Sequence, residues 1–180
     1  MVRLPAKIRL SEDGIVLREW EDGDLAAMAK LFDDPQVAHW TPLASPFDLE
    51  AARAYLKSAA QKRAAGERVQ LAITVDGKEP AGEVLLMLNG ADPEVADLGY
   101  SVGAAWRGRG LASRALRMMT EFALGTAGLS RLLLKIEAEN TASTGVARAA
   151  GYRLTDAPPI PAEGKAGRRL LLQTWEYQGA

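Results

Sequence analysis

Apolar and polar residues alternate over residues 69–75 and answer one another over 81–88, with Asp76-Gly77 between them, so the pattern predicts an antiparallel hairpin. A loop at 89–94 leads to a third strand over 95–102, and a short apolar strand follows over 131–137. Near the start, residues 15–18 predict a strand, with residues 8–10 pairing as its extension across the Asp13-Gly14 turn. Helical spacing takes over after Asp22-Gly23-Asp24, whose acids favour the helix dipole, and again from Ser45-Pro46 to Gly66, where proline suits a helix start. A third helix follows Gly110, and a shorter one runs from Asn140 to the stop at Gly151-Tyr152. Residues 152–155 and 170–177 predict the last strands. The loop between them, 156–167, carries Pro158, Pro159, Pro161, Gly164 and Gly167 and is expected to be a surface connector. The order β-α-α-β-β-β-α-β-α-β-β predicts an α/β layered domain with a mixed, mainly antiparallel sheet and helices on its faces. The strand at 131–137 can lie parallel to that at 95–102 through a right-handed helical crossover.

With 180 residues and no low-complexity tract, the expectation is one domain over residues 1–180. The formal charge of −1 leaves no overall basic field for nucleic acid. Absence of cysteine excludes disulfides, thiolate metal sites and a cysteine nucleophile, and one histidine excludes a multi-histidine metal site. The start MVRLPAKIRLSEDG lacks the apolar run of a signal peptide, and no stretch approaches the apolar length of a membrane span. A soluble, cytoplasmic protein without a metal, nucleic acid or membrane partner is therefore expected.

The most informative stretch is Tyr100 to Ala112, YSVGAAWRGRGLA. An apolar strand ends at Gly103, and Arg107, Gly108, Arg109, Gly110, Leu111, Ala112 and Ser113 open a helix. Free N–H groups and the dipole at a helix start attract anions, glycines let a phosphate approach the main chain, and two arginines add charge, so a pyrophosphate is the natural guest. As G-x-G-x-x-G the loop is damaged, since Ser113 stands in the third glycine's place, and as a P-loop it lacks Gly-Lys-Ser/Thr. A basic turn that merely starts a helix is the plainer alternative. Read as R-x-x-G-x-A, however, the loop resembles the coenzyme A pyrophosphate loop of the GNAT N-acetyltransferase superfamily. Downstream, the strand Leu132-Leu133-Leu134-Lys135-Ile136, then Asn140-Thr141-Ala142-Ser143, a helix and Gly151-Tyr152, resembles the second half of the same core, in its RimJ/RimL-like branch.

The resemblance implies a GNAT-like sheet whose two parallel central strands splay apart, with the pantetheine arm of acetyl-CoA paired to main-chain groups of Ser101, Val102 and their neighbours. It implies N-acetyltransferase activity, with a backbone N–H near Tyr100 or Ser101 holding the oxyanion. Asp97 stands where the branch often carries glutamate, one methylene short, which favours a water relay, and Glu83 is the rival base. Ser143 is the candidate to protonate the thiolate and Asn140 to bond the pantetheine, although both residues are also good helix caps. His39, Trp40 and Tyr100 are candidate substrate contacts, with a core-edge Trp40 and a surface His39 as the alternative. The acceptor is expected to be a primary amine, above all an α-amine of a peptide N-terminus or small amino compound. A homodimer is compatible with this reading. A non-catalytic acyl-CoA-binding sensor or interaction module is the alternative function.

Overall fold

The expected hairpin forms the middle of one sheet, in a computed structural model that describes residues 2–88 and 90–179. Asn89, which opens the expected loop at 89–94, lies outside the described residues. In chain order the elements are β1 (Arg9–Glu12), β2 (Ile15–Glu19), α1 (Leu25–Phe32), α2 (Pro35–Trp40), α3 (Leu49–Ala64), β3 (Arg68–Thr74), β4 (Pro80–Leu88) and β5 (Val95–Val102). They continue with α4 (Leu111–Glu121), β6 (Arg131–Glu137), α5 (Thr141–Ala149), β7 (Tyr152–Leu154), β8 (Ile160–Glu163) and β9 (Arg169–Tyr177).

The strands are ordered β1-β2-β3-β4-β5-β6-β9-β7, with β8 also paired to β9. Every pair is antiparallel except β5 with β6. Their parallel register runs only from Val95 opposite Arg131 to Leu98 opposite Leu134. Beyond that point β5 stays paired to β4 as far as Val102 opposite Gly82, and β6 stays paired to β9 as far as Glu137 opposite Leu172. Each strand is thus held on its outer side while the inner edges part, and the sheet opens as a wedge after Leu98. This is the splayed parallel pair that the sequence resemblance implies. At the open end Gly82 is required by space, because a Cβ there would fall 2.3 Å from the Ser101 carbonyl oxygen.

Alternation along β3 explains the layers. Val69, Leu71 and Ile73 face the core that contains Leu111, Ala115, Leu116 and Met119 of α4, whereas Ala72 faces a second core with Met28, Phe32, Val37, Phe47 and Ala52. The apolar positions of α4 recur with helical spacing and give it one buried face. Phe32 centres the second core, edge-on to Trp20, Phe47 and Tyr55 at centroid distances of 6.1, 5.5 and 6.1 Å. Strands β3 and β4 are therefore covered on both faces, rather than half-buried as simple alternation suggests.

Three local expectations change. Residues 37–42, which lie between the first two predicted helices, mostly form α2: Asp34 caps it by accepting from Gln36 and Val37 N–H at 3.0 and 3.1 Å, and Pro35 occupies its first turn. Helix α3 starts at Leu49 rather than near Ser45-Pro46, because the Asp48 side chain accepts from Ala51 N–H. The proline-rich connector contains β8, which makes a hairpin with β9.

Candidate active site

The loop after β5 is built by tertiary anchors as well as by glycine. Trp106 packs against both cores, and Arg109 lies over its ring at 5.0 Å while donating to the Ala105 carbonyl at 3.1 Å. Gly108 and Gly110 have φ of +75° and +71°, a region costly for L side chains, and Gly110 leads directly into α4. The first bond closing the helix is Arg114 N–H to Gly110 O at 3.2 Å, so helix geometry leaves the N–H groups of Leu111, Ala112 and Ser113 free for an anion. The Ser113 hydroxyl turns back to Gly110 O at 3.1 Å. Arg107 is shared: Nε donates to Val102 O at 3.1 Å and Nη2 to Asp34 at 2.8 Å. The Val102 carbonyl, expected to face a pantetheine amide, is thus already engaged by a side chain.

The two candidate bases lie on one face of the sheet in unlike surroundings. Glu83 is opposite Ser101 at the open end of the wedge and is only 3% exposed. Its carboxylate accepts from Trp20 Nε1 at 2.8 Å, Tyr55 OH at 2.5 Å and Gln70 Nε2 at 3.4 Å. Burial pushes the Glu83 carboxyl up to about 7, against the opposing pull of those donors, and burial also raises the Tyr55 phenol. Asp97 sits beside the vertex, opposite Leu133, and accepts no hydrogen bond among the described residues. Burial raises its pKa, with Lys135 pulling the other way. Asp97 is the free carboxylate and Glu83 the caged one.

The cage makes a stability prediction. Because the folded Glu83 holds its proton to about pH 7 while an unfolded glutamate releases it near 4.3, the native state binds more protons between those values. Stability therefore falls as pH rises through that window and is level above it. The expected size is on the order of 4 kcal/mol at most. Urea melts of Glu83→Gln from pH 4.5 to 8 should lack that share of the slope; parallel slopes for the variant and the parent protein would refute it.

On the opposite face, Tyr100 OH donates to Ser143 O at 2.7 Å and lies 3.0 Å from Ser143 Oγ. Burial pushes this phenol up to about 12. With its proton on the carbonyl, the phenol oxygen accepts from the serine hydroxyl. Tyr100 thus braces β5 to α5, and its side chain points away from the face shared by Asp97 and Glu83. Asn140 caps α5 through Oδ1 to Ser143 N–H at 3.1 Å, so the capping alternative holds for Asn140. Among the described residues the Ser143 hydroxyl meets the Tyr100 phenol and caps no N–H group.

Helix α2 carries His39 and Trp40 to one wall of a cleft of about 320 Å³, lined also by Pro35, Gln36 and residues 139–142 at the start of α5. The rings of His39 and Trp40 meet edge-to-face at 4.3 Å. From the β8–β9 hairpin, Arg168 makes a bidentate pair with Glu137 at 2.8 and 3.0 Å and donates to His39 O at 2.9 Å, while Lys165 Nζ reaches Leu43 O at 2.6 Å. The loop expected as a connector therefore buttresses the cleft. Sequence reasoning misses Asp34, Tyr55, Trp106 and Arg168. Only Asp34 has a local signal, an N-cap residue followed by proline. Among the described residues no group of three or more His, Asp or Glu side chains is placed to hold a metal ion, and no helix is long and apolar enough to cross a membrane.

The acetyltransferase (GNAT) domain family model matches residues 15–153. The chain is 24% identical over 135 residues to the uncharacterized N-acetyltransferase p20 of Bacillus licheniformis, an alignment covering 74% of this chain and 76% of that protein. The ribosomal-protein-S5-alanine acetyltransferase of Vibrio fischeri superposes with a TM-score of 0.76 at 17% identity, over 93% of this chain and 95% of that one. Mycobacterium smegmatis RimJ, in complex with CoA-disulfide, superposes with a TM-score of 0.74 at 21% identity, over 89% and 80%.

Proposed function

The chain belongs to the GNAT acetyltransferase family, and from that premise we propose that it moves the acetyl group of acetyl-CoA to the α-amine of a peptide or small amino compound, with residues 1–180 acting as one catalytic domain. The observation that carries the reading is the wedge between β5 and β6 opening directly onto the glycine loop and the start of α4. The free N–H groups of Leu111, Ala112 and Ser113, with the positive end of α4 and the charge of Arg107 and Arg109, suit a pyrophosphate. The inner edges of residues 99–101 and 135–137, beyond the last parallel pair, suit the amides of a pantetheine arm lying as an added strand.

In this reading donor and acceptor approach from opposite faces of the sheet. The amine nitrogen attacks the thioester carbon, forming the C–N bond, and the C–S bond breaks. The nitrogen's proton goes to Asp97, through a water because of the short side chain, and the thiolate takes a proton from Ser143 or from water. A backbone N–H at Tyr100 or Ser101 holds the oxyanion, the kind of donor worth about 10²–10³ in rate. An α-amine, with pKa of about 7.7–8.0 against about 10.4 for lysine, needs little help from so modest a base. The name of the Vibrio fischeri enzyme, which specifies an alanine of a ribosomal protein, is consistent with a protein N-terminus as acceptor. Release of one thiol per acetyl group gained, on mixing the chain with acetyl-CoA and a peptide bearing a free N-terminus, tests the reading.

A further inference from the structure

Helix α2 is too short to be stable on its own, since helix nucleation is costly and isolated helices below about 12 residues are marginal. Two arginines from distant parts of the chain hold its ends. At the N-terminal end, Asp34 Oδ1 accepts from Gln36 N–H and Val37 N–H and also from Arg107 Nη2, at 3.0, 3.1 and 2.8 Å. The hydrogen bond from Arg107 is the main reason that the Asp34 carboxyl lies below its ordinary pKa. At the C-terminal end, Arg168 bonds the His39 carbonyl while both carboxylate oxygens of Glu137 hold its guanidinium. Between these ends, only Val37 is buried.

We propose that α2 couples the donor site to the acceptor site, with Asp34 and Arg168 as positioning residues for the wall that carries His39 and Trp40. The proposal rests on the reading of the glycine loop as a coenzyme A cradle and of the cleft beside His39 and Trp40 as the acceptor site. A guanidinium has five N–H donors, and the bonds from Arg107 to Val102 and Asp34 leave others for a phosphate. A phosphate in the cradle and the carboxylate that caps α2 then share one guanidinium. Fixing Arg107 with the donor fixes Asp34, and so steadies the helix that lines the acceptor cleft. Arg168 anchors the other end through the Glu137 carboxylate of β6 and the His39 carbonyl of α2. Acetyl-CoA therefore prepares the acceptor site before the amine arrives.

Hydrogen exchange of the full-length chain, with and without saturating coenzyme A, tests this without any acceptor. Two amides that bond into α2 are informative: Ala38 N–H, bonded to Asp34 O at 2.9 Å, and the C-cap Thr41 N–H, bonded to Val37 O at 3.1 Å. Coenzyme A should slow exchange at Ala38 by about fivefold or more, the lower range of typical coupling between sites. Asp34→Asn keeps a good N-cap but loses the charge that engages Arg107, so coenzyme A should still bind and the slowing should vanish. Arg168→Ala should speed exchange at Thr41 in the coenzyme-free protein; Arg168→Lys, which keeps the charge but loses the fork, should do so too and serves if the alanine variant does not fold. Exchange in α2 unchanged by bound coenzyme A, or slowed equally in Asp34→Asn, would overturn the coupling. Unchanged Thr41 exchange in the Arg168 variants would overturn the second anchor. Failure of coenzyme A to bind the parent protein would overturn the cradle, and the coupling with it, as a separate result in calorimetry.

Discussion

Replacing Asp97 with alanine is expected to lower kcat/KM for an α-amine acceptor by about 10²-fold, the lower end of the range for a positioned general base. Asp97 is one residue short of the last parallel pair, Leu98 with Leu134, so its carboxylate lies where the wedge begins to open. It accepts no hydrogen bond among the described residues, whereas three donors occupy Glu83. The loss should shrink as pH rises through the amine's own pKa of about 7.7–8.0, because the acceptor then arrives already neutral. A purely structural role predicts something different. Since burial raises the Asp97 pKa, the folded state disfavours the ionised form, and at neutral pH removing the carboxylate should leave the melting temperature unchanged or higher. A variant with kcat/KM within twofold of the parent, or with a loss that tracks a falling melting temperature, would remove Asp97 from the chemistry.

Gly110→Val should weaken coenzyme A binding by about 10²-fold in calorimetry. The position has φ of +71°, and left-handed backbone costs roughly 1–2 kcal/mol for an ordinary L residue, with β-branched side chains disfavoured further. A Cβ there meets no atom within 4 Å, so the substitution does not clash inside the protein. Its cost comes instead from the backbone, which can relax by turning the loop and misdirecting the N–H groups of Leu111, Ala112 and Ser113. A phosphate held by those groups loses their shared aim, and valine methyl groups crowd its approach. Were the loop only a basic turn starting α4, the variant would lose modest stability and bind coenzyme A as the parent does. The two results are far apart.

The parts legible in the sequence are those governed by neighbours along the chain. The Asp76-Gly77 turn between alternating runs predicts the hairpin of β3 and β4, and the glycines at 108 and 110 predict the loop that starts α4. Helix α2 is harder to see because the side chains that bond its two ends, Arg107 and Arg168, are 73 residues from Asp34 and 129 from His39. The Asp34-Pro35 start does signal a helix, but proline also reads as the end of the preceding one. The unlike settings of Asp97 and Glu83 are not local either. Both are acids on strands, and what separates them is a phenol 28 residues from Glu83 and an indole 63 residues away. The point at which β5 and β6 part is a matter of register, which strand periodicity leaves undetermined.

The most direct test of the account is the fate of the acetyl group on two peptides, each with one internal lysine, one with a free N-terminus and the other blocked. Mass spectrometry after incubation with the chain and acetyl-CoA should find a single acetyl group on the α-amine of the first peptide and little or none on the second, since the lysine amine is about 2.5 pK units harder to deprotonate. Efficient acetylation of the blocked peptide's lysine would contradict the α-amine assignment, and bound coenzyme A without transfer to any amine would contradict catalysis itself.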